Sequence, residues 1–210
     1  MIFHSATYRC LVFQYGTIMR SWNDDPFTKR ARREHYEARS VYKLKEIQKR
    51  DRILDGVNSI LDLGASPGSW TQYCLEERPQ AKLFAIDLNP MGFSNDRVKF
   101  LQAGINDANI AELINPLSTV DLVLSDMAPH TTGIASVDVD RSTELVLVAL
   151  QIADRFLVQG GGFVAKLFMG ASLKSIQTEL QNRFQTTRII RPEATRKQSR
   201  EIFLSGKDKR

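Results

Sequence analysis

Short apolar runs alternate with amphipathic stretches along most of this chain. Five runs rich in Ile, Leu, Val and Phe, each bounded by polar turns, predict buried strands. They cover residues 60–63, 82–87, 98–102, 120–126 and 163–168. Apolar residues spaced three and four positions apart predict helices over residues 36–51, 70–77, 108–113, 140–157 and 173–184. This alternation is typical of an α/β protein with a parallel sheet.

The last two apolar runs, residues 186–191 and 201–205, have a different connection. Residues 192–200 leave no room for the helix that a parallel crossover usually needs, so we expect this pair to be antiparallel. The pattern therefore predicts a doubly wound, mostly parallel sheet with a C-terminal antiparallel strand pair and helices on both faces. We interpret residues 36–210 as one domain, preceded by an N-terminal extension or basic arm over residues 1–35.

A glycine-rich turn follows the first strand and leads directly into a helix. This order places a small-molecule site at the carboxyl end of the strand. The turn, Gly64 to Gly68, has neither the G-x-G-x-x-G spacing of dinucleotide sites nor a Gly-Lys-Ser/Thr phosphate loop. Asp87 ends the second strand, where an acid typically binds ribose hydroxyls. With Asp62 and Asp126 at neighbouring strand ends, S-adenosylmethionine fits better than a nicotinamide dinucleotide, which stays an alternative.

The charge distribution indicates a polyanionic partner. Residues 20–52 hold 11 Lys and Arg against 6 Asp and Glu, and residues 183–210 hold 9 against 3. The body between them, residues 53–182, holds 8 against 15, although the whole chain carries a net charge of +5. Two basic ends on an acidic body favour nucleic acid over a membrane, because no amphipathic apolar face accompanies them.

Composition narrows the class of protein further. No apolar run approaches the roughly 20 residues of a membrane helix, so we expect no membrane partner. Cys10 and Cys74 have no metal-ligand spacing, which favours a reducing compartment and no metal site. Residues 1–18 contain no acids and faintly suggest a transit peptide, although an extended start upstream of Met19 explains them equally well.

Six collinear segments resemble one known family. They are Arg39-Ser-Val-Tyr-Lys-Leu-Lys-Glu-Ile47, Asp62-Leu-Gly-Ala-Ser-Pro-Gly-Ser-Trp70, Ala85-Ile-Asp-Leu-Asn-Pro-Met91, Leu124-Ser-Asp-Met-Ala-Pro129, Gly162-Phe-Val-Ala-Lys-Leu-Phe168 and Arg191-Pro with Ser199-Arg-Glu201. Together they are similar to the FtsJ/RrmJ (RlmE-type) ribose 2′-O-methyltransferases of ribosomal RNA. The resemblance implies a Rossmann-like class I methyltransferase fold.

The resemblance also implies a catalytic Lys–Asp–Lys–Glu tetrad, which falls on Lys43, Asp126, Lys166 and Glu201. A ribose hydroxyl is a poor nucleophile until its proton is removed or shared. Lys166, inside an otherwise apolar strand, is the expected base. Lys43 and partial burial would favour its neutral form, whereas the two acids would oppose this and orient the lysine and the ribose.

For the cofactor, S-adenosyl-L-methionine, the resemblance points to Gly64, Gly68, Trp70, Asp87 and Asp126. One departure concerns the adenine. The family usually has an acid after the third strand, whereas this chain has Gly104 there. A neighbouring polar residue, Asn106 or Asp107, or a backbone group would then take over that contact.

The expected reaction is methylation of the 2′-hydroxyl of a uridine in large-subunit ribosomal RNA, with the ribosomal RNA or large subunit as partner. Alternatives are the ribose of a tRNA anticodon loop and a non-catalytic RNA-binding subunit on the same fold. The presence of all four tetrad residues argues against the second alternative. We expect a monomer in the bacterial cytoplasm, or in the mitochondrial matrix if residues 1–18 are a presequence.

Overall fold

The computed structural model describes residues 25–105, 109–114 and 119–210. Helices and strands alternate along these residues, as the apolar pattern predicts. In chain order they are α1 (Pro26–Arg33), α2 (Val41–Asp51), β1 (Ser59–Leu63), α3 (Ser69–Glu77), β2 (Lys82–Asp87), β3 (Val98–Gln102), α4 (Asn109–Ile114), β4 (Val120–Ser125), α5 (Ala135–Phe156), β5 (Leu157–Phe168), α6 (Leu173–Arg183), β6 (Phe184–Ile190) and β7 (Glu201–Lys209).

The strands form one seven-stranded sheet in the order β3-β2-β1-β4-β5-β7-β6. Strands β1 to β5 pair in parallel, whereas β7 pairs antiparallel with both β5 and β6. The predicted fold class is therefore confirmed. Because the five parallel strands share one direction, their carboxyl ends meet at one edge of the sheet, where α/β proteins bind ligands.

Two apolar cores cover the two faces of the sheet. Successive strand residues point to opposite faces, so Ile60 and Leu61 of β1 belong to different cores. The first core packs the sheet against α5 and α6, and the second packs it against α1, α2 and α3. We call the second face the α2–α3 face. Every side chain at the carboxyl edge can be assigned to one face by its position in its strand.

Helix α1 lies inside the range that we interpreted as a basic arm. Asp25 precedes it, accepts a hydrogen bond from the Thr28 backbone N–H at 2.8 Å, and is followed by Pro26 at the first helical position. These residues are the usual start signals of a helix. Ala31 is buried in the second core, so part of the extension packs on the domain. The boundary at residue 36 stays a prediction.

Strand β5 begins at Leu157 rather than at the predicted residue 163, so it includes the glycines at 160–162. Helix α5 ends at Phe156, and the glycines lie within β5. A side chain on Gly162 would approach Ile53 and Leu122 to 3.0 and 3.2 Å. The glycines therefore allow close packing at this end of the strand.

Across the described residues, no helix is both long and apolar enough to span a membrane. The expectations about residues 1–18, Asn106 and Asp107 fall outside the described residues.

Candidate active site

The turn between β1 and α3 requires glycine at two positions. Gly64 has a φ of +77°, and a Cβ atom there would lie 2.8 Å from the Met127 side chain and 3.0 Å from its backbone nitrogen. Gly68 has a φ of +117°, and its Cβ would lie 2.9 Å from Phe93. Both backbones adopt a conformation that glycine tolerates best. The close packing at Gly64 holds the turn against the segment that follows β4.

A cavity of about 470 Å³ opens at the carboxyl edge beside this turn. We call it the donor cavity. Its size falls within the range of small-molecule sites. Three predicted cofactor residues line it, Gly64, Asp87 and Asp126, and so does Gly104. The other lining residues are Ser66, Leu88, Asn89, Ala103, Ile105, Met127, Ala128, His130, Leu145 and Val148.

Asp87 is fixed in place by backbone donors on both sides. Its Oδ2 accepts a hydrogen bond from the Ser66 backbone N–H at 3.0 Å, and its Oδ1 accepts one from the Asn89 backbone N–H at 2.7 Å. Oδ1 also accepts a hydrogen bond from the Asn89 side-chain amide at 3.2 Å. An ionised carboxylate has about four lone-pair sites, so Oδ2 keeps capacity for a further donor. Asp87 can therefore accept a hydrogen bond from a ribose hydroxyl in the cavity.

Asp126 lines the donor cavity and also contacts Lys166 of the tetrad. Its Oδ1 pairs with Lys166 Nζ at 2.9 Å, and its backbone carbonyl accepts a second hydrogen bond from the same ammonium. The Lys166 side chain is only 7% exposed. Because burying an unpaired ammonium is costly, this double contact explains how a lysine persists in an apolar strand.

Lys43, the other lysine of the tetrad, pairs with the other acid, Glu201. Lys43 of α2 forms an ion pair with Glu201 at the start of β7, and both side chains are 13% exposed. Lys43 Nζ also lies 5.7 Å from the centre of the Phe203 ring, within the range of a cation–π contact. The structure therefore contains two lysine–carboxylate pairs rather than four separate groups.

Strand register brings the two pairs to the same face. Lys166 lies opposite Phe203 in the β5–β7 ladder, and Phe168 lies opposite Glu201. Residues opposite each other in an antiparallel pair project to one side, as do residues two apart in a strand. Phe203 belongs to the core of the α2–α3 face. Lys166 and Glu201 therefore project to that face, where α2 supplies Lys43.

Trp70 and Gly68 do not line the donor cavity as it stands. Trp70 is buried, donates a hydrogen bond from Nε1 to the Ser40 carbonyl at 3.0 Å, and packs against Phe203 with ring centres 5.7 Å apart. It thus connects the glycine turn to α2 and β7. A direct contact of either residue with a cofactor stays a prediction.

Asp62 lies in the strand below the glycine turn and is fully buried. Its Oδ2 accepts a hydrogen bond from the Thr71 hydroxyl at 2.8 Å, whereas its Oδ1 has no partner among the described residues. Burial raises the pKa of Asp62 to about 7; the Thr71 hydrogen bond opposes this, and the charges of Asp126 and Asp87 add to it. This carboxyl therefore exchanges its proton close to neutral pH.

Arg39 contacts residues of both basic segments of the chain. Its guanidinium pairs with Asp25 at the start of α1 at 2.5 Å and donates to the Ala194 carbonyl at 2.5 Å. Ala194 lies in the connection between β6 and β7, which carries Arg196, Lys197 and Arg200. The basic segments at residues 25–52 and 183–210 are thus neighbours in the fold. Sequence spacing gives no sign of this contact.

Sequence reasoning missed several cavity residues, among them Leu88, His130 and Leu145. Leu88 and His130 follow strand ends, which is the signal that could have identified them; Leu145 looks like an ordinary core position of α5. Within the described part of the chain, no group of three or more His, Cys, Asp and Glu side chains is placed to hold a metal ion.

Comparisons with known proteins identify the family of this chain. The model of the FtsJ-like methyltransferase family matches residues 36–209. The chain is 38% identical over 190 residues to ribosomal RNA large subunit methyltransferase E of Bdellovibrio bacteriovorus, covering 89% of this chain and 97% of that protein. It is 41% identical over 187 residues to the protein of the same name from Treponema denticola, covering 88% and 94%.

A solved structure shows the same architecture. It is a crystal structure from Plasmodium falciparum of a protein assigned as a ribosomal RNA methyltransferase, with a TM-score of 0.73 and 29% identity. The match covers 83% of this chain and 98% of that one. The matched family model, the relatives and the sheet order agree, and the chain belongs to the FtsJ-like methyltransferase family.

Proposed function

We propose that this chain transfers a methyl group from S-adenosylmethionine to the ribose 2′-hydroxyl of a uridine in large-subunit ribosomal RNA. The observation that carries the proposal is the position of Asp126, which lines the donor cavity and also binds Lys166. A cavity for a nucleoside thus adjoins a buried amine. The names of the curated relatives, which are ribosomal RNA large subunit methyltransferases, support the choice of RNA.

The residues of the donor cavity fit the proposed cofactor. Asp87 Oδ2 has acceptor capacity for a ribose hydroxyl, and the glycine turn allows the backbone to approach a ligand closely. Gly104, in the position of the family's adenine-contacting acid, lines the cavity and offers only backbone groups there. When bound, S-adenosylmethionine supplies a methyl group already activated by a positively charged sulfur.

The tetrad would prepare the acceptor oxygen. Lys166 Nζ would accept the proton of the 2′-hydroxyl as the oxygen is methylated, and the bound S-adenosylmethionine would supply the methyl group and leave as the neutral thioether. General-base assistance of this kind contributes about 10²- to 10⁴-fold. Asp126 would hold the Lys166 nitrogen at the cavity, and the pair of Lys43 and Glu201 lies on the same face of the sheet as Lys166.

The basic ends of the chain would bind the RNA backbone. Helix α1 and the β6–β7 connection are both basic and are linked through Arg39. Phosphate contacts of this kind determine affinity and orientation rather than sequence. The curated relatives named above are bacterial, which supports action in the bacterial cytoplasm; a monomer is the simplest assembly for this proposal. The mitochondrial alternative depends on residues 1–18, outside the described range.

Mapping of 2′-O-methyl groups tests this function directly. Ribosomal RNA and tRNA are compared from cells with the gene, without it, and with a Lys166→Met copy. We expect one 2′-O-methyluridine of the large-subunit RNA to be absent in the second and third strains. A change confined to tRNA would favour the anticodon-loop alternative, and unchanged methylation in all three strains would favour a non-catalytic RNA-binding protein.

A further inference from the structure

The connection between β6 and β7 packs against the domain before it reaches the tetrad. It covers residues 191–200 and leads directly into Glu201. Pro192 and Ala194 are buried, and Ala194 belongs to the core of the α2–α3 face. The connection therefore lies on the face of the sheet where Lys43 and Glu201 form their ion pair.

Two side chains on either side of Lys43 in the sequence bind this connection. Glu46, three residues after Lys43 and thus its neighbour on the surface of α2, accepts a hydrogen bond through Oε2 from the Glu193 backbone N–H at 2.7 Å. Arg39, four residues before Lys43, donates to the Ala194 carbonyl at 2.5 Å. Two consecutive residues of the connection are thus held by α2 and the turn that leads into it.

Hydrogen bonds within the connection link these two residues to Glu201. Arg191 donates to the Ser199 carbonyl at 2.7 Å, so the two ends of the connection are joined. The Glu201 backbone N–H in turn donates to the Ser199 hydroxyl oxygen at 3.2 Å. A shift of the connection at residues 193 and 194 would therefore also move the carboxyl group of Glu201.

The surroundings of Arg39 and Glu46 favour a role inside the protein over a role in RNA binding. Each side chain is only 17% exposed. The Arg39 guanidinium is already paired with Asp25 at 2.5 Å, and the negative charge of Glu46 repels phosphate. Glu46 also pairs with Arg50 at 2.6 Å, but an ion pair between residues four apart on a helix surface contributes little stability.

We propose that Arg39 and Glu46 are positioning residues of the tetrad, which hold the β6–β7 connection on α2 so that Glu201 meets Lys43. The inference rests on the proposed RNA methylation. Both residues act through that ion pair rather than by contact with the donor or the acceptor. Because a displacement of about 1 Å in a catalytic arrangement can cost about 10²-fold in rate, contacts outside the site should have a measurable kinetic effect.

The test is steady-state methylation of large ribosomal subunits purified from cells that lack this chain. For Glu46→Ala we expect kcat to fall about tenfold, while KM for the subunit and Kd for S-adenosylmethionine stay within about threefold of the wild type. Glu46→Gln should recover most of kcat, because its amide oxygen still accepts the hydrogen bond from Glu193. Since Glu46 acts through Glu201, its removal from a Glu201→Gln chain should lower kcat by less than about twofold.

Arg39→Met should lower kcat about tenfold as well. The slope of log KM against log salt should stay unchanged, because the wild-type guanidinium is bound within the protein and not to a phosphate. A slope that falls by about one would mean that Arg39 binds a phosphate, and would overturn its assignment as a positioning residue.

Matched controls remove similar contacts elsewhere in the fold. Glu179→Ala removes the acid of another ion pair between residues four apart, with Arg183 at 2.6 Å on α6. Arg78→Met removes an arginine that donates to the Val57 carbonyl at 2.8 Å, at the opposite end of α3 from the glycine turn. Neither control should alter kcat.

Three results would overturn the inference while leaving the function intact. They are unchanged kcat in Glu46→Ala and Arg39→Met, no recovery in Glu46→Gln, and equal losses from Glu46→Ala in the wild-type and Glu201→Gln chains. Failure of the wild-type chain to methylate any RNA would instead refute the proposed function.

Discussion

The donor cavity and the tetrad are built in different ways, although they share Asp126. The cavity is assembled mainly from consecutive strand–turn units between β1 and the start of the segment after β4, held by backbone hydrogen bonds and close glycine contacts. The tetrad instead combines α2, the end of β4, β5 and β7, and one of its ion pairs joins residues near opposite ends of the described chain. Changes to the tetrad that abolish methyl transfer should therefore leave S-adenosylmethionine binding intact. Changes to the cavity that weaken S-adenosylmethionine binding should likewise leave the methyl-transfer step intact.

Removal of the proposed base should give the largest separation of the two regions. In Lys166→Met, which keeps the apolar stem of the side chain, we expect kcat to fall by about 10³-fold, because general-base assistance is lost. Calorimetric titration should show S-adenosylmethionine affinity within about threefold of the wild type, a change below 1 kcal/mol.

The control for this variant is Lys174→Met, which removes an exposed lysine of α6 and should leave kcat unchanged. Near-normal turnover of Lys166→Met would remove Lys166 from the role of base. Equal losses of turnover and donor affinity would show that the two regions are not separable.

Asp62 is buried in β1, next to the glycine turn, and its titration gives a pH-dependent test. Its pKa is about 7 in the folded protein, against 3.8 for the free group. At pH values between these two pKa values, Asp62 is ionised in the unfolded chain and protonated in the folded chain. The stability that protonated Asp62 contributes is therefore complete below the pKa of the free group, and it is lost as the pH rises to the pKa of the folded protein. Asp62→Asn removes the titration.

The measurement is urea unfolding of the wild type and Asp62→Asn at pH 5 and pH 8. The free energy of unfolding of the variant relative to the wild type should rise by roughly 3 kcal/mol from the lower to the higher pH. In Asp96→Asn, which changes an exposed carboxylate, the difference from the wild type should not vary with pH. Parallel pH profiles for wild type and Asp62→Asn would mean that Asp62 is ionised throughout.

The smallest expected effect belongs to the donor side alone. Asp87→Asn keeps the shape of the side chain and one carbonyl oxygen, but it removes the charge that strengthens hydrogen bonds to ribose hydroxyls. We expect the Kd for S-adenosylmethionine to rise about tenfold, which corresponds to about 1.4 kcal/mol, while kcat at saturating donor changes little. A loss of kcat without a loss of affinity would place Asp87 with the tetrad rather than with the cavity.

The same contrast explains what the sequence could predict. The strands and the roles suggested for Gly64 and Asp87 come from local patterns, because a strand, a glycine turn and a helix are consecutive in the chain. Lys43 and Glu201 have no such local signal, and only the family resemblance pointed to them. Their meeting depends on the register of β7 against β5, which apolar spacing does not specify.

Helices α1 and α5 differ from the prediction, and each difference has a physical cause. Helix α1 carries a clear start signal at Asp25 and Pro26, but its high charge obscured the single buried residue, Ala31. Helix α5 begins at Ala135 rather than near residue 140. The reason is visible only in the fold, where Asp138 accepts a hydrogen bond from the Thr132 backbone N–H at 2.7 Å and stabilises the first turn.

The position of β7 has a consequence for how the protein is made. This strand comes after all the others in the chain, yet it lies between β5 and β6 in the sheet. During synthesis, β6 has no strand to pair with until residues 201–209 have emerged, and the edge of β5 stays open for the same time. Glu201 of the proposed tetrad is on that strand, so the proposed catalytic site is completed in the same step that closes the sheet. A nascent chain should therefore be inactive until its folding is nearly finished.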